Sequence, residues 1–269
     1  MLNFIHTILL VAAAVSANQG QAARLALPNE TGITAVAIQW QKKDVPYVRV
    51  DSEWVAVIGV DLDVKAGAYP TTIRVTKNGV VEKRSVTITV KTVKYPTTQL
   101  KVADEYVDLS PENTERALRE QKELDIIHNT ITAEKLWKEP FVVPIAGESG
   151  TNFGHRRVFN GQARAPHAGA DLHAAMGTPI HSTNRGRVVV AKDLFFTGNT
   201  VIVDHGLGIY SLYAHLSRID VEVGALVDRN QVLGLSGATG RVTGPHLHWG
   251  IKVQNARVDP YSLVNLGKP

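Results

Sequence analysis

Five residues of this chain could act together in metal-dependent hydrolysis: His167, Asp171, His215, His246 and His248. In a β-strand, side chains at positions i and i+2 point to the same face, so His246 and His248 would stand side by side. One histidine of such a pair can bind a metal ion while the other reaches a water molecule bound to it. Two histidines and a carboxylate are a recurrent ligand set for catalytic zinc, which lowers the pKa of bound water to about 7 and polarises a carbonyl.

The absence of cysteine narrows the chemistry further. It excludes thiolate catalysis, disulfides, cysteine-ligated zinc and a lipid anchor on cysteine. Any metal must therefore be held by histidine, aspartate or glutamate. Because structural zinc sites normally close with four protein ligands, a site with three ligands favours a catalytic use.

Each of these motifs is weak when taken alone. The chain has ten histidines, so a His-x-His pair can arise by chance. A lone histidine such as His215 is more often a core residue bonded to a backbone carbonyl. Gly169, between His167 and Asp171, permits a turn that lets both side chains converge. The combination of the three motifs predicts the site.

The segment that carries these motifs, residues 141–269, has the pattern of glycine-punctuated β-structure. We expect no long amphipathic helix after residue 140. The glycine-rich run 234–244, just before His246, is expected to wall a groove. The predicted strands are Arg187–Ala191, Thr200–Asp204, Ile209–His215, Gln231–Leu235 and His248–Val253.

Residues 24–99 are predicted to form a small β-sandwich of immunoglobulin-like type. Short apolar-polar alternations such as Thr34–Trp40 and Trp54–Ile58 are typical of half-buried strands. Asn78-Gly79 lies between two such runs and predicts a hairpin, because both turn residues must accept positive φ. No catalytic cluster is found here, so this part is interpreted as a spacer or binding module.

Residues 100–140 are predicted to be a helical linker. Ser110 and Pro111 suit the N-cap and the first position of a helix. We expect one or two helices through about Trp137, with charged residues on the outer face. Such a connector could pack across the following domain and limit access to it. Apolar residues recur at roughly helical spacing at Leu118, Leu124, Ile127 and Ile131.

Residues 1–23 are interpreted as a cleaved secretory signal, with a buried N-terminal strand as the alternative. Phe4–Val15 is largely apolar but shorter than the ~20 residues that span a bilayer, and small residues follow it. The cut would follow Ala17, Ala22 or Ala23. This predicts a periplasmic or secreted protein with no stable membrane anchor after cleavage.

The charge balance is mildly basic, with 29 Lys and Arg against 25 Asp and Glu and a formal net charge of +4. This fits an acidic partner such as a cell-wall polymer, and ordinary solvated charge is the alternative. No block of Lys and Arg is clustered with aromatic residues, so we expect no nucleic-acid partner. Nothing in the sequence indicates an oligomeric state.

The motifs resemble those of the lysostaphin/LytM-type zinc metallopeptidases, which cut peptidoglycan cross-bridges. The resemblance covers about residues 141–262, roughly the C-terminal half, and the order of the three motifs is highly specific. The order of sandwich, helical link and peptidase also resembles Gram-negative periplasmic members of the family. The matching segments are Asn152-Phe153-Gly154-x-Arg156, His167-x-Gly169-x-Asp171, Gly177-Thr178-Pro179-Ile180, Tyr213-x-His215-Leu216 and Gly237-x-Thr239-Gly240-x-x-Thr243-Gly244-Pro245-His246-Leu247-His248.

The resemblance implies a role for each residue of the site. His167, Asp171 and His248 would bind one zinc ion per chain, and His215 and His246 would be catalytic. The implied fold is a LytM-type antiparallel β-sheet domain, which makes the whole chain mainly β. Arg156 is a further candidate, for binding a substrate carboxylate bidentately, with a surface ion pair as the alternative.

The implied function is a zinc-dependent endopeptidase that hydrolyses peptide cross-links or stem peptides of peptidoglycan. The alternative is a non-catalytic LytM-type regulator of cell-wall amidases, but such relatives have lost ligands, and the set here is complete. A wall-binding protein in which residues 24–99 carry the main function is a third hypothesis. That stretch has few aromatic residues for such a role beyond Trp40, Tyr47 and Trp54.

Overall fold

The computed structural model describes residues 14–101, 108–147, 150 and 152–267. The fold is mainly β, as predicted. An N-terminal β-sandwich is followed by one helix and then by a large C-terminal sheet.

The β-sandwich is built from two sheets that share one core. A five-stranded sheet has the order β1-β8-β7-β3-β4, and a three-stranded sheet has the order β2-β6-β5. Inward side chains of both sheets, such as Ile38, Ile58 and Ile88, are fully buried and belong to one apolar cluster. The strands are β1 Ala14–Asn18, β2 Gln21–Pro28, β3 Ile33–Trp40, β4 Lys43–Pro46, β5 Val48–Val50, β6 Glu53–Val60, β7 Gly67–Lys77 and β8 Val80–Lys91.

The hairpin predicted at Asn78-Gly79 is confirmed. Strands β7 and β8 pair antiparallel in continuous register on either side of it. Asn78 has φ of 50° and Gly79 has φ of 78°. Both turn residues therefore adopt the left-handed conformation that a two-residue hairpin loop needs.

The predicted signal segment overlaps the sandwich. Residues 1–13 lie outside the described residues, but β1 pairs in parallel with β8, and Ala17 is 5% exposed. Of the three cut sites considered, only the one after Ala17 leaves β2 complete. The cleaved signal stays a prediction. Across the described ranges, no helix has the length and apolar character needed to cross a bilayer.

Helix α1, Pro111–Asn129, begins where the sequence predicts. The Ser110 hydroxyl accepts a hydrogen bond from the backbone N–H of Asn113 at 3.2 Å. The helix ends at Asn129 and not near Trp137, because the following segment crosses the C-terminal sheet in irregular form. There Leu136 N–H donates to the carbonyl of His205 at 2.9 Å, and the Trp137 side chain is buried.

The C-terminal part contains a nine-stranded sheet with the central order β12-β19-β16-β15-β14-β17. Strand β20 pairs with β19, β18 pairs with β16, and β13 pairs with β18. Trp249 and Tyr213 are among its largest fully buried side chains. After β9, Thr97–Leu100, the strands are β10 Arg156–Phe159, β11 Gln162–Arg164, β12 Gly169–His173, β13 Pro179–His181, β14 Gly186–Leu194, β15 Gly198–Gly206, β16 Ile209–Ile219, β17 Leu226–Val227, β18 Val232–Ser236, β19 His246–Val253 and β20 Ala256–Val258, with helix α2 at Pro260–Val264.

The sandwich and the large sheet are tightly joined. Strand β9 pairs in parallel with β10, so residues 97–100 belong to the C-terminal part and lie across the predicted boundary at residue 99. The Arg257 guanidinium contacts the Asp61 carboxylate at 2.6 Å, and Gln254 Nε2 donates to the carbonyl of Val57 at 3.1 Å. These contacts join the large sheet to the sandwich.

Candidate metal centre

Three neighbouring strands bring the predicted ligands together. Strands β12 and β19 pair antiparallel with Asp171 directly opposite His248. Strand β16 lies on the other side of β19, with Ala214 opposite His248. His167 precedes β12 by two residues and is buried at the same end of the strand. The sheet register therefore converts a separation of 77 residues into direct contact between Asp171 and His248.

Three atoms form a compact triangle at this point. His167 Nε2 lies 3.0 Å from Asp171 Oδ1 and 2.9 Å from His248 Nδ1. His248 Nδ1 lies 2.8 Å from Asp171 Oδ1. Among the described residues these three form the group whose ligand atoms lie close enough together to hold a metal ion.

The triangle fits a zinc ion in spacing and in chemistry. Zinc bonds of about 2.0–2.2 Å place tetrahedral ligand atoms roughly 3.3 Å apart, close to the observed spacing. His167 Nδ1 lies 2.9 Å from the carbonyl of Asn152, which can only accept, so the neutral ring carries its proton there. The Nε2 lone pair then faces the Asp171 carboxylate. A cation between the three atoms would relieve this repulsion.

Asn152 contacts two of the three ligands at once. Its side-chain Nδ2 donates to Asp171 Oδ2 at 2.8 Å, and its Oδ1 accepts from the backbone N–H of Asp171 at 2.9 Å. Its backbone carbonyl orients His167. Partners of this kind fix the tautomer and direction of metal ligands. The sequence comparison included Asn152 only as part of a motif and assigned it no role.

His215 is held beside the triangle by a strained backbone. Its φ is 64°, a left-handed value that is costly for a residue other than glycine. Its backbone N–H donates to the carbonyl of Thr197 at 2.8 Å. Its Nδ1 donates to the carbonyl of Thr239, also at 2.8 Å. The neutral ring thus keeps Nε2 as a free acceptor.

His246 is fixed in a similar way on strand β19. Its Nδ1 lies 2.9 Å from the carbonyl of Gly244, and its Nε2 lies 3.7 Å from Asp171 Oδ1. The His246 and His215 rings are 4.9 Å apart between centroids. Both rings therefore have Nδ1 bound to the backbone, which leaves Nε2 available for proton transfer.

The glycine-rich run supports His215 through close backbone packing. A Cβ at Gly237 would lie 2.4 Å from the backbone nitrogen of Ser217 and 2.8 Å from the carbonyl of His215. A Cβ at Gly240 would lie 2.4 Å from the nitrogen of Gly198. Side chains at these positions would push the run away from strand β16. The bond between Thr239 and His215 depends on this approach.

Burial and local contacts determine the protonation states of His167, His215 and Asp171. It lowers the pKa of His167 to about 4 and that of His215 to about 3, so both rings are neutral near pH 7. Burial raises the pKa of Asp171, but its contacts with His167 and His248 outweigh that effect and hold the pKa well below the usual range. The triangle therefore combines a carboxylate with a neutral His167 imidazole, the protonation states that metal binding requires of these two groups.

An open cleft lies directly over these residues. Arg156, predicted to bind a substrate carboxylate, is exposed and is not among the residues that line this cleft, and its role stays a prediction. The next residue, Arg157, does line it, since successive side chains of strand β10 point to opposite faces. The cleft is lined by Leu100, Arg157, Phe159, Asp171, Phe196, Thr197, His215, Arg241, Val242, Thr243, His246 and His248.

Other histidines have different positions. His205 is fully buried, with Nδ1 bonded to the carbonyl of Arg185 and Nε2 to the hydroxyl of Ser211. His173 is exposed and lies opposite His246 in the sheet register. Helix α1 packs on β14–β16 through contacts such as Arg116 with Asp193, and it contributes none of the cleft-lining residues.

The fold therefore carries a candidate metal centre of two histidines and one aspartate, with two further histidines beside it. The model of peptidase family M23 matches residues 165–260. A crystal structure of a protein from Pseudomonas aeruginosa assigned to peptidase M23 is 31% identical, covers 91% of this chain and 94% of that one, and has a TM-score of 0.67. The chain belongs to peptidase family M23, which confirms the resemblance seen in the motifs.

Curated relatives match less than half of the chain. The peptidoglycan DD-endopeptidase ShyA of Vibrio cholerae is 43% identical over 110 residues, which is 40% of this chain and 26% of that protein. ShyB of the same organism is 40% identical over 111 residues, 41% of this chain and 26% of that protein. The chain thus matches about a quarter of the length of these relatives.

Proposed function

We propose that this chain is a zinc-dependent endopeptidase that hydrolyses peptide cross-links or stem peptides of bacterial peptidoglycan. One observation carries the proposal. Two histidines with Nδ1 bound to backbone carbonyls stand beside a triangle of His167, Asp171 and His248. Membership of family M23 and the names of the curated relatives support the choice of substrate.

The metal ligands and the two further histidines would have separate roles in the reaction. A zinc ion held by the triangle would supply a Lewis acid and an activated water. His215 Nε2 or His246 Nε2 accepts the proton of the attacking water, and the Nε2–H formed on that ring then donates a hydrogen bond to the oxyanion. The proton then passes to the leaving amine. The Nδ1 contacts keep both rings aimed at the reacting carbonyl throughout.

Replacement of His248 with Ala tests the assignment. We expect the purified variant to lose bound zinc and to lose clearance of peptidoglycan sacculi, because one ligand of three is gone. His181→Ala is the matched control, since His181 lies on strand β13 and does not line the cleft. Clearance by His248→Ala at the wild-type rate would refute the zinc site. A wild-type protein without zinc or cleavage would favour the amidase-regulator alternative.

The substrate also suggests the location. Peptidoglycan lies outside the cytoplasmic membrane, so we propose a periplasmic or secreted protein delivered by the N-terminal signal. The sandwich would then act as a wall-binding or positioning module. Fractionation of cells into cytoplasm, periplasm and medium tests this, and a purely cytoplasmic pool would contradict it.

A further inference from the structure

Two guanidinium groups line the cleft beside the metal centre. The Arg157 side chain is 23% exposed, and its Nη2 lies 3.5 Å from Asp171 Oδ2. Arg241 lies across the cleft floor, with its guanidinium carbon 4.8 Å from the centre of the Phe159 ring. Among the described residues lining the cleft, Asp171 is the single carboxylate. With Asp171 committed to a metal ion, the described lining residues include two guanidinium groups and no further carboxylate.

Asp171 does not satisfy the Arg157 guanidinium. A separation of 3.5 Å is longer than the 2.7–2.9 Å or so of a charge-assisted bond between a guanidinium and a carboxylate. Asp171 Oδ2 already accepts from Asn152 at 2.8 Å, and Oδ1 faces the histidines. Arg157 therefore keeps donors that a ligand in the cleft can use, because a guanidinium has five N–H groups.

Aromatic rings hold both guanidinium groups in place. Arg157 lies over the Phe159 ring at 6.0 Å, and Arg241 lies over Phe159 and also over Phe196, at 4.4 Å. Phe159 is 3% exposed and forms a rigid base for the two. The Arg241 backbone N–H is bonded to the carbonyl of Phe196. Groups fixed in this way lose little rotamer freedom when they bind an anion.

We propose that Arg157 and Arg241 form a carboxylate-binding subsite that holds an acidic group of the substrate peptide close to the bond that is cut. The proposal rests on the proposed peptidase function and specifies its substrate class. Because Arg157 lies beside a metal ligand, the carboxylate belongs to a residue at or next to the scissile bond. Stem peptides that carry an acidic diamino acid fit this subsite, whereas glycine bridges have no side-chain carboxylate to place in it.

Kinetics on matched substrates test the subsite with the full-length zinc-loaded protein. The substrates are a cross-linked stem-peptide dimer, the same dimer amidated at the diamino acid carboxylate, and the dimer amidated at the terminal carboxylate. We expect wild type to prefer the free acid over one amidated form by roughly ten- to a hundredfold in kcat/KM, mainly through KM, as for lost hydrogen bonds to a charged group. The amidated form that is cut poorly identifies the carboxylate.

Variants separate the subsite from the metal centre. Arg157→Gln and Arg241→Gln should each bring the preference for the free acid close to unity while zinc content per chain stays at the wild-type value. Arg157→Lys keeps the positive charge but loses the paired N–H donors of the guanidinium. It should retain part of the preference for the free acid. Arg156→Gln is the matched control on the opposite face of strand β10 and should behave as wild type.

The outcomes are distinguishable. If wild type cuts no dimer, the proposed function fails and the subsite fails with it. If wild type cuts all three dimers equally, the subsite is refuted while the peptidase function stands. If Arg157→Gln loses zinc and slows all substrates by the same factor, Arg157 positions Asp171 and the subsite is again refuted.

Discussion

Asn152 illustrates how much of the metal centre depends on a residue that binds no metal. Replacing it with Ala removes one hydrogen bond to the Asp171 side chain and one from the Asp171 backbone. Residues that orient metal ligands typically contribute about 10- to 100-fold in metal affinity, and we expect a loss of that size. Competition with a chromophoric chelator measures it.

A control for Asn152→Ala is available on helix α1. Asn113→Ala changes the same side chain far along the chain from the site, and zinc affinity should remain at the wild-type value. Equal affinity of wild type and Asn152→Ala would show that His167 and Asp171 are oriented without this amide.

His205 predicts an effect of pH on stability. Burial lowers its pKa from 6.5 to about 4, so the unfolded chain binds a proton that the folded chain excludes between these values. The contribution of neutral His205 to the free energy of unfolding is complete above about pH 6.5. It is lost as pH falls towards 4, at up to about 1.4 kcal/mol per pH unit. Urea unfolding at several pH values measures this, and the free energy of unfolding of His205→Gln should depend less steeply on pH than that of wild type. An equal change of unfolding free energy with pH in variant and wild type would contradict this prediction.

The sequence motifs selected five residues that the structure brings together, but not the residues that support them; their roles stay predictions. Motif order was sufficient to select His167, Asp171 and His248. The sequence did not indicate which side chains of strand β10 face the cleft. It therefore pointed to Arg156, whereas the structure places Arg157 in the cleft. The φ of His215 is likewise invisible in sequence, because it follows from bonds to Thr197 and Thr239 made across the sheet.

At the scale of elements, contact between strands β6 and β19 depends on Gly59. A Cβ there would lie 2.6 Å from the carbonyl of Val253 and 2.8 Å from the Ala256 side chain. We expect Gly59→Ala to lower the free energy of unfolding by about 1–3 kcal/mol, because overpacking forces the strands apart. Gly244→Ala adds the same methyl where nothing lies within 4 Å and should stay within about 0.5 kcal/mol of wild type. Urea unfolding compares the two, and equal effects would contradict the prediction.

The start of helix α1 was predictable and its end was not. Ser110 and Pro111 determine the start through local capping chemistry. The end at Asn129 depends on the segment from Thr132 to Trp137, whose backbone bonds to residues of β15 and the turn after it. The helical spacing that includes Ile131 is a local pattern, and it cannot indicate that the next residues bond to a strand far along the chain.

For the whole molecule, the overlap of the signal with the sandwich makes the cleavage site testable. We expect the mature protein to begin at Asn18, because this cut removes residues of the edge strand β1 alone, whereas a cut after Ala22 or Ala23 would also remove part of strand β2. Ala22 and Ala23 are both buried, and β2 pairs with β6 from Gln21 onwards. Intact mass and N-terminal sequencing of the exported protein measure this. A mature chain that begins at Ala23 or Arg24 would refute it.

The division into modules stays a prediction, and the close packing between the sandwich and the large sheet was not predicted. Alternating runs separate residues 24–99 from the rest by pattern alone. Ala22 and Val57 of the sandwich nevertheless belong to the same apolar cluster as Trp249 and Tyr213. The packing between the two parts, like the pairing of β9 with β10, is set by long-range complementarity that no local pattern encodes.

The register between β12 and β19 also determines when the candidate metal centre can form. Asp171 and His248 are 77 residues apart, and most of the large sheet lies between them in the chain. During synthesis the first two ligands emerge well before the third, so a nascent chain has no complete centre. The proposed hydrolase would therefore be unable to attack its surroundings until strand β19 has been made and inserted between β12 and β16. Long-range pairing of this kind is slow, which lengthens the inactive interval.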